Sequence, residues 1–340
     1  MIFGTPQSLI HGFSFDPTRS STHMPVLEVQ ELTTHYRILR GWVRATDNVS
    51  FKVEQGEALG IAGESGSGKT TVALSLLKIL PAGGVIRKGK IIFNGQDLVP
   101  LSENQMREVR WKGISIVFQG AMNAFNPVIK VGDQIAEAIK IHESSVSNSE
   151  VRERVAKLLE TVGIEPSRAD NYPHEFSGGM RQRALIAMAL AANPRMLIGD
   201  EPGTALDVIV QAQTLKLLRD LKDKLGLSMI MISHDLSIIA ETCEKVAIMY
   251  AGKIVEVGDA VSIFKNPQHP YTQGLIKAFP SIKGEKVRLS SIPGQPPDLL
   301  HPPPGCRFHP RCPYVMDICK KEEPLLEEHE KGHSVACHLY

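Results

Sequence analysis

Short apolar runs alternate with segments of helical period along most of the chain. The runs lack the apolar–polar alternation of a half-exposed strand, which is typical of parallel strands buried on both faces. Because helical segments separate the runs, the pattern predicts an α/β fold built on a parallel sheet. The predicted strands cover residues 58–62, 114–118, 196–198, 229–232 and 246–250.

One region interrupts this alternation. Strand signals vanish after residue 126, and apolar positions recur at helical spacing over residues 131–142 and 149–162. We therefore expect an α-helical subdomain, covering about residues 126–180, inserted into the α/β core.

The two ends of the chain differ in composition from the middle. Residues 1–24 are rich in Ser, Thr, Pro and His and contain no signal-peptide pattern, so we interpret them as a disordered leader or a cloning remnant and expect a cytoplasmic protein. Nine of the 22 prolines lie between residues 280 and 313, a density that disfavours long helices and central strands. This predicts a main domain over 25–265 and a small, irregular, Cys-rich extension over 266–340.

Composition narrows the possible partners. The 340 residues include 38 Lys and Arg against 37 Asp and Glu, and the net charge of +1 gives no general reason to expect nucleic acid or an anionic membrane. No apolar stretch approaches the roughly 20 residues of a membrane-spanning helix. Anion binding must therefore come from local sites.

The strongest local signal is a glycine-rich loop. The segment GESGSGKTT over residues 63–71 follows a predicted strand, precedes a helical pattern and matches G-x-x-x-x-G-K-S/T in full. Its glycines let successive N–H groups turn toward one point, where the positive end of the helix dipole also lies. We interpret it as a phosphate loop, in which Lys69 reaches the β and γ phosphates and Thr70 coordinates Mg²⁺. The predicted nucleotide-binding residues here are Gly63, Ser65, Gly66, Ser67, Gly68, Lys69, Thr70 and Thr71.

Two adjacent carboxylates, Asp200 and Glu201, lie at the end of the predicted strand that begins at residue 196. Neighbours on a strand point in opposite directions, so Asp200 and Glu201 can serve different roles. We expect Asp200 to hold the metal's water shell and Glu201 to polarise the water that attacks the γ-phosphoryl group. Alone, such a pair more often marks a solvated loop; the preceding phosphate loop favours the catalytic interpretation.

The segment FSGGMRQR over residues 176–183 resembles the signature of the ATP-binding-cassette (ABC) family. By its chemistry alone, Ser177 can cap a helix whose first N–H groups form a second anion site. The resemblance implies a P-loop NTPase cassette with a RecA-like core and an N-terminal antiparallel β-subdomain. It also implies head-to-tail dimers, in which ATP lies between the phosphate loop of one subunit and the signature of the other. The signature residues are Ser177, Gly178, Gly179 and Met180.

Further family motifs appear in the expected order. The resemblance implies that Tyr36 stacks on adenine, and Trp42 is the alternative candidate for this role. It also implies that Asp207 lies in a loop crossing the dimer interface. It implies catalytic roles for Lys69, Gln119, Glu201 and His234. Gln119 and His234 are also expected to contact ATP. The expected Mg²⁺ contacts are Thr70, Gln119 and Asp200. The chain departs from close relatives at Phe176, Gly199 and Gly203, which leaves the rate more in doubt than the chemistry.

Three segments of the extension, over residues 269–275, 292–298 and 305–313, closely resemble the C-terminal extension of oligopeptide and dipeptide importer ATPases. This implies an ATP-hydrolysing subunit at the cytoplasmic face of the membrane, with two permease subunits and a second ATPase on other chains and an extracytoplasmic binding protein as indirect partner. Nickel or oligosaccharides remain alternative cargoes, and the second ATPase can be a copy or a related chain. A soluble ABC ATPase acting on nucleic acid or ribosomes is disfavoured, because the chain has one cassette and no heptad repeat between loop and signature.

Four of the five cysteines fall in the extension, with the spacing C-x5-C-x6-C-x17-C. Zinc sites favour closer pairs, whereas four thiolates in loops of various lengths can hold a 4Fe–4S cluster. Members with this tail resemble cluster binders, so we favour iron–sulfur over zinc and over reduced structural cysteines. The predicted ligands are Cys306, Cys312, Cys319 and Cys337, while Cys243 is most simply a core residue.

Overall fold

The computed structural model describes residues 24–120, 124–204, 206–278 and 292–340. The predicted leader, except Met24, and part of the proline-rich segment lie outside the described residues. The strands are β1 (Leu27–Ile38), β2 (Gly41–Val53), β3 (Ala58–Ala62), β4 (Gly84–Phe93), β5 (Gln96–Asp97), β6 (Ile114–Val117), β7 (Met196–Asp200), β8 (Ser228–Ser233), β9 (Lys245–Tyr250), β10 (Lys253–Asp259), β11 (Glu327–Glu330) and β12 (His333–Val335). The α-helices are α1 (Lys69–Leu76), α2 (Glu103–Val109), α3 (Val131–His142), α4 (Asn148–Thr161), α5 (Gly178–Ala189), α6 (Val208–Leu225), α7 (Leu236–Thr242), α8 (Ala260–Lys265) and α9 (Pro270–Lys277).

The larger sheet has the strand order β11-β12-β10-β9-β3-β8-β7-β6. Its middle is parallel, from β9 through β3, β8 and β7 to β6. Every residue of β3, β7 and β8 is buried, which explains why these strands appear in the sequence as apolar runs. The parallel sheet and its five predicted strands are confirmed.

A second, antiparallel sheet with the order β2-β1-β4-β5 packs over the first helix. Apolar residues of β1 and β2 share one buried cluster with α1 and with β3 and β8 of the larger sheet. Thr34 on β1 lies 2.9 Å from the Ser75 hydroxyl on α1, so a polar contact also joins the layers. The helix that follows the phosphate loop is therefore enclosed between two sheets.

The helical region inserted before the signature forms as expected. Helix α3 has the predicted bounds and buries Ile135 and Ile139, four residues apart on one face. Arg154 on α4 makes a bidentate pair with Glu143 at 2.6 and 2.9 Å, and also donates to the Ala191 carbonyl at 3.0 Å beyond α5. These contacts attach the insertion to the signature helix.

The C-terminal extension is less irregular than expected. Strand β12 pairs with β10 through Glu256–Val335 and Val257–Ser334, and β11 pairs with β12. These strands follow the last proline, Pro324, so the proline density does not restrict them. The extension thus continues the larger sheet. Within the described ranges, no helix combines the length and apolar character needed to cross a membrane.

Candidate nucleotide site

The phosphate loop connects the buried end of β3 to the first turn of α1. Gly63 has φ +151°, and a Cβ there would lie 2.1 Å from the Met249 carbonyl oxygen. Gly68 has φ +103°, and its Cβ would lie 2.3 Å from the Ala45 carbonyl oxygen. Both positions therefore require glycine for backbone angle and for space. At Gly66, with φ +78°, a Cβ would meet nothing within 4 Å, which marks the open side of the loop.

Lys69 lies inside this loop. Only 5% of the residue is exposed, and its Nζ donates to the Gly63 carbonyl at 2.7 Å and to the Glu64 carbonyl at 3.0 Å. Burial lowers the pKa of Lys69, and the charges of Glu201 and Asp200 oppose that shift. The ammonium is thus held by two backbone carbonyls beside a place where a phosphate anion would stabilise its charge.

Two oxygen ligands suited to magnesium lie beside the loop. The Thr70 hydroxyl donates to Asp200 Oδ1 at 3.2 Å. Asp200 is 2% exposed, and burial raises its pKa while the bond from Thr70 opposes the shift. A hydroxyl and a carboxylate next to the phosphate loop fit the hard oxygen ligands that Mg²⁺ prefers. The residues present therefore fit the expected ion.

Three polar side chains contact the second carboxylate, Glu201. Gln119 Nε2 and the Thr204 hydroxyl donate to Glu201 Oε2 at 2.9 and 3.1 Å. His234 Nδ1 lies 2.9 Å from Glu201 Oε1. Glu201 has φ +49°, an unusual backbone angle for a residue with a side chain. Sequence reasoning missed Thr204, although it lies three residues beyond Glu201.

The topology explains this convergence. Gln119, Glu201 and His234 follow β6, β7 and β8, and the phosphate loop follows β3. These four strands are parallel and consecutive in the sheet, so their carboxyl ends meet at one edge. The structure brings these predicted catalytic residues together.

The signature turn occupies a different part of the chain. Ser177 caps α5, where its hydroxyl accepts a hydrogen bond from the Met180 N–H at 3.2 Å. A Cβ at Gly179 would lie 2.5 Å from Val210, whose N–H donates to Asp207 Oδ1 at 2.9 Å. Ser177 and Asp207 are exposed. Between residues 177–180 and the chain's own phosphate loop, the described residues form no hydrogen bond.

Comparison with known families agrees with this geometry. The profile of the ABC transporter family matches residues 46–204, and that of the oligopeptide/dipeptide transporter C-terminal region matches residues 255–319. A probable peptide ABC transporter ATP-binding protein, y4tR of Sinorhizobium fredii, is 48% identical over 92% of this chain and 94% of its own. The dipeptide transport ATP-binding protein DppD of Escherichia coli is 45% identical over 93% and 97%. The oligopeptide transport ATP-binding protein OppD of Bacillus subtilis is 47% identical over 91% and 87%.

This chain belongs to the peptide-transporter branch of the ABC ATPases. Among solved structures, CbiO1 of Clostridium perfringens, part of the ABC transporter complex CbiONQ, aligns with a TM-score of 0.61 at 28% identity, over 71% of this chain and 91% of its own. The cassette MJ0796, in a dimeric post-hydrolysis state with ADP and Pi, aligns with a TM-score of 0.62 at 24% identity, over 69% and 98%. The likeness to CbiO1 confirms that this chain contains an ABC cassette, and the likeness to MJ0796, at a lower identity, confirms the fold. As a member of this family, the chain is an ATPase.

The three positions expected to differ from close relatives, Phe176, Gly199 and Gly203, lie in tightly packed surroundings. A Cβ at Gly199 would lie 2.9 Å from Met231 Sδ, and one at Gly203 would lie 2.7 Å from Gln211 Cγ. Phe176 is buried at 3% exposure. At both glycines a neighbouring side chain occupies the space that a Cβ would need, so neither glycine leaves a gap.

The two candidate adenine-stacking residues of this ABC ATPase lie in the antiparallel sheet. A Cβ at Gly84 would lie 2.8 Å from the Tyr36 ring, so the ring packs on β4. The guanidinium of Arg87 lies 4.9 Å from the centre of the Trp42 ring. Stacking on adenine by Tyr36 stays a prediction.

The four cysteines of the extension lie near one another. Burial raises the pKa of Cys306 to about 11, and the thiols of Cys337, Cys319 and Cys312 add to the shift. The Cys306 N–H donates to the Cys319 carbonyl at 2.9 Å. In the described part of the chain, however, no three His, Cys, Asp or Glu side chains are arranged as a metal site. The thiols are neighbours but do not form a coordination sphere. Cys243 is a buried core residue, as expected, and burial raises its pKa to about 12.

Proposed function

We propose that this ATPase powers the import of di- and oligopeptides through permease subunits on separate chains. The observation that carries the proposal is the convergence of Lys69, Asp200, Glu201 and His234 at one sheet edge, in a chain whose relatives are named for peptide transport. The extension supports the peptide class, since its profile match is to oligopeptide and dipeptide transporters. Nickel and oligosaccharides are the alternative cargoes.

ATP binding uses groups that the loop already presents. The triphosphate accepts hydrogen bonds from the loop N–H groups on the open side of Gly66. Lys69 Nζ has three N–H donors and gives two of them to the Gly63 and Glu64 carbonyls, so the third is available to a phosphate oxygen. Thr70 and Asp200 would hold Mg²⁺, which would neutralise charge on the phosphates.

Glu201 acts as the general base. Gln119 and Thr204 occupy its Oε2 and fix the carboxylate plane, while His234 contacts Oε1 and leaves that oxygen a second lone pair. That lone pair accepts a proton from the attacking water. We also assign to His234 a contact with the γ-phosphate, as the family resemblance implies.

A second cassette completes the pocket. The exposed Ser177 turn presents N–H groups that its own phosphate loop does not use, which supports head-to-tail pairing. Val210 packs against Gly179 of this turn, and the preceding Val208 and Ile209, next to Asp207 in sequence, are 81% and 70% exposed. The partner is a second copy or a related ATPase.

We place the subunit at the cytoplasmic face of the membrane. Its direct partners there are two permease subunits, through which it acts with an extracytoplasmic binding protein. We do not propose nucleic acid as a partner. Phe118 and Val128, 41% and 77% exposed, lie close in sequence to Gln119 and offer an apolar surface to a permease. In this proposal residues 25–265 are the nucleotide-binding domain, with the helical subdomain near 126–180, and 266–340 the extension.

Replacement of the base tests the mechanism. The Glu201→Gln variant keeps the phosphate cradle but cannot accept a proton, so ATP binding should persist while turnover falls about 10³-fold. The variant should also accumulate as an ATP-bound dimer, measured by light scattering. Glu165→Gln, at an exposed position outside the site, is the matched control. Near-normal hydrolysis by Glu201→Gln would exclude Glu201 as the base.

We further propose that the cysteine group holds a 4Fe–4S cluster, with zinc as the alternative. The donor chemistry supports this, since four thiols lie together and would lose their protons to a metal. Burial, together with the neighbouring thiols, raises the pKa of Cys306, Cys312 and Cys337, so these thiols keep their protons until a metal binds. Anaerobically purified protein should show visible absorbance, iron and acid-labile sulfide. Cys306→Ser should lower the iron content, whereas Cys243→Ser, in the core, should not. A colourless protein that retains zinc would exclude the cluster.

A further inference from the structure

The C-terminal extension reaches the phosphate loop directly. Arg311 donates from Nη1 to Glu64 Oε2 at 2.6 Å and from Nη2 to Glu64 Oε1 at 3.0 Å. Its side chain is only 4% exposed, and its remaining bonds go to the Tyr250 hydroxyl and to the carbonyls of Ile292 and Pro293. Because hydrogen bonds hold the Arg311 guanidinium on several sides, its position is fixed. Its partner Glu64 is the second residue of the phosphate loop.

A second residue of the extension holds the loop backbone. The Glu64 N–H donates to the Tyr271 hydroxyl at 2.9 Å. Tyr271 is fully buried, and its ring centre lies 4.6 Å from that of Tyr250 and 5.4 Å from that of Phe308. Burial raises the pKa of Tyr271, so the phenol stays neutral. The extension therefore holds both the side chain and the N–H of Glu64.

These contacts bear on the catalytic lysine through one peptide plane. The Gly63 carbonyl and the Glu64 N–H belong to the same planar, trans peptide unit and point in opposite directions. The N–H is fixed on Tyr271, and the carbonyl accepts the 2.7 Å bond from Lys69 Nζ. Rotation of this plane would therefore move the carbonyl that positions Lys69.

We infer that Arg311 and Tyr271 are positioning residues for the phosphate loop and act through Glu64 on Lys69. The extension thereby helps to set the geometry of the proposed nucleotide site. The inference rests on the proposed nucleotide site and adds to it the source of the loop's geometry.

Conservative variants separate positioning from folding. Arg311→Lys keeps the charge but cannot form the two-pronged bond, and Tyr271→Phe removes only the hydroxyl. Arg154→Lys is the matched control, because Arg154 makes the same bidentate pair with Glu143 away from the loop. Circular dichroism and thermal unfolding establish that each full-length variant is folded. ATP titration, adenosine titration and steady-state hydrolysis then report on the site.

We expect Arg311→Lys and Tyr271→Phe each to lower kcat/KM for ATP about tenfold, while affinity for adenosine, which lacks phosphates, is unchanged. Glu64→Gln combined with Arg311→Gln should lose no more activity than the worse single variant, because both changes break one linkage. The Arg154→Lys control should match the wild type.

Wild-type kinetics in both Arg311→Lys and Tyr271→Phe would overturn the inference, as would additive losses in the double variant. An equal loss in Arg154→Lys would also overturn it, because the effect would then be general instability. If the wild-type protein itself fails to bind ATP, the proposed nucleotide site fails, and that result is distinct from failure of the positioning residues.

Discussion

At the scale of single residues, Glu201 has a strained backbone at the centre of the proposed site. A φ of +49° costs a residue with a side chain about 1–3 kcal/mol. The Glu201 N–H still donates to the Ile232 carbonyl on β8 at 2.9 Å, so the strand pairing extends through the strained residue. The left-handed turn directs the side chain to His234, while Asp200 faces Thr70. The two adjacent carboxylates thus serve different partners.

His269 is a second residue in an unusual environment. It caps α9, where Nδ1 accepts the Tyr271 N–H at 3.0 Å, and it is 1% exposed. The backbone N–H of His269 in turn donates to the buried carboxylate of Glu256 at 3.0 Å. Burial lowers the pKa of His269 to about 3, so the folded protein keeps this side chain neutral.

The buried histidine predicts a stability change with pH. Below its ordinary pKa of about 6.5, His269 takes up a proton in the unfolded chain but not in the folded one. The free energy of unfolding should therefore fall as pH decreases, by up to about 1.4 kcal/mol per pH unit from this group. His269→Asn keeps a capping acceptor and removes the titration, so denaturant unfolding between about pH 6.5 and about pH 4 should show a shallower slope. Exposed His174→Asn is the control; equal slopes in wild type and His269→Asn would contradict the prediction.

At the scale of elements, strands buried on both faces could be predicted from the sequence. Strand β3 and helix α3 have the predicted bounds, because each has one consistent pattern, uniformly apolar or helical. The antiparallel sheet came from the family resemblance alone. Strand β1 changes register between Val29 and Leu32 and again before Thr34, and these shifts interrupt the two-residue period that marks a strand.

The same distinction applies to the site. Glu201 could be predicted because it closes a recognisable strand in a chain with a phosphate loop, whereas the roles of Gln119 and His234 came from the family resemblance; all three follow strands that end at the same sheet edge. Arg311 and Tyr271 could not be predicted, because they contact Glu64 across 247 and 207 positions of sequence. No local pattern encodes that contact; it exists only after the extension has packed against the core.

At the scale of the whole molecule, one buried carboxylate joins the extension to the nucleotide site. Glu256 on β10 is fully buried and accepts the N–H groups of Gln268 and His269 at 2.7 and 3.0 Å. It also pairs with His333 Nε2 on β12 at 2.7 Å. Glu256 therefore connects β12 with the start of α9, and α9 carries Tyr271 to the phosphate loop.

Loss of the His333 side chain should consequently weaken both fold and site. His333→Ala leaves Glu256 without one of its donors in a buried position, which should lower the free energy of unfolding by about 2 kcal/mol, measured by denaturant titration. Because Glu256 also orders the turn before α9, the KM for ATP should rise, by less than in Tyr271→Phe. Faster hydrogen exchange of the β12 amides would locate the opening at the sheet edge.

Two further variants make this last prediction specific. His333→Gln keeps a donor near Glu256 and should recover part of the lost stability. His329→Ala, on the exposed strand β11, removes a histidine without touching Glu256 and should stay within about 0.5 kcal/mol of the wild type. If His333→Ala matched His329→Ala in stability and in KM, Glu256 would not couple the extension to the phosphate loop, and Tyr271 would have to be held by its aromatic packing against Tyr250 and Phe308 alone.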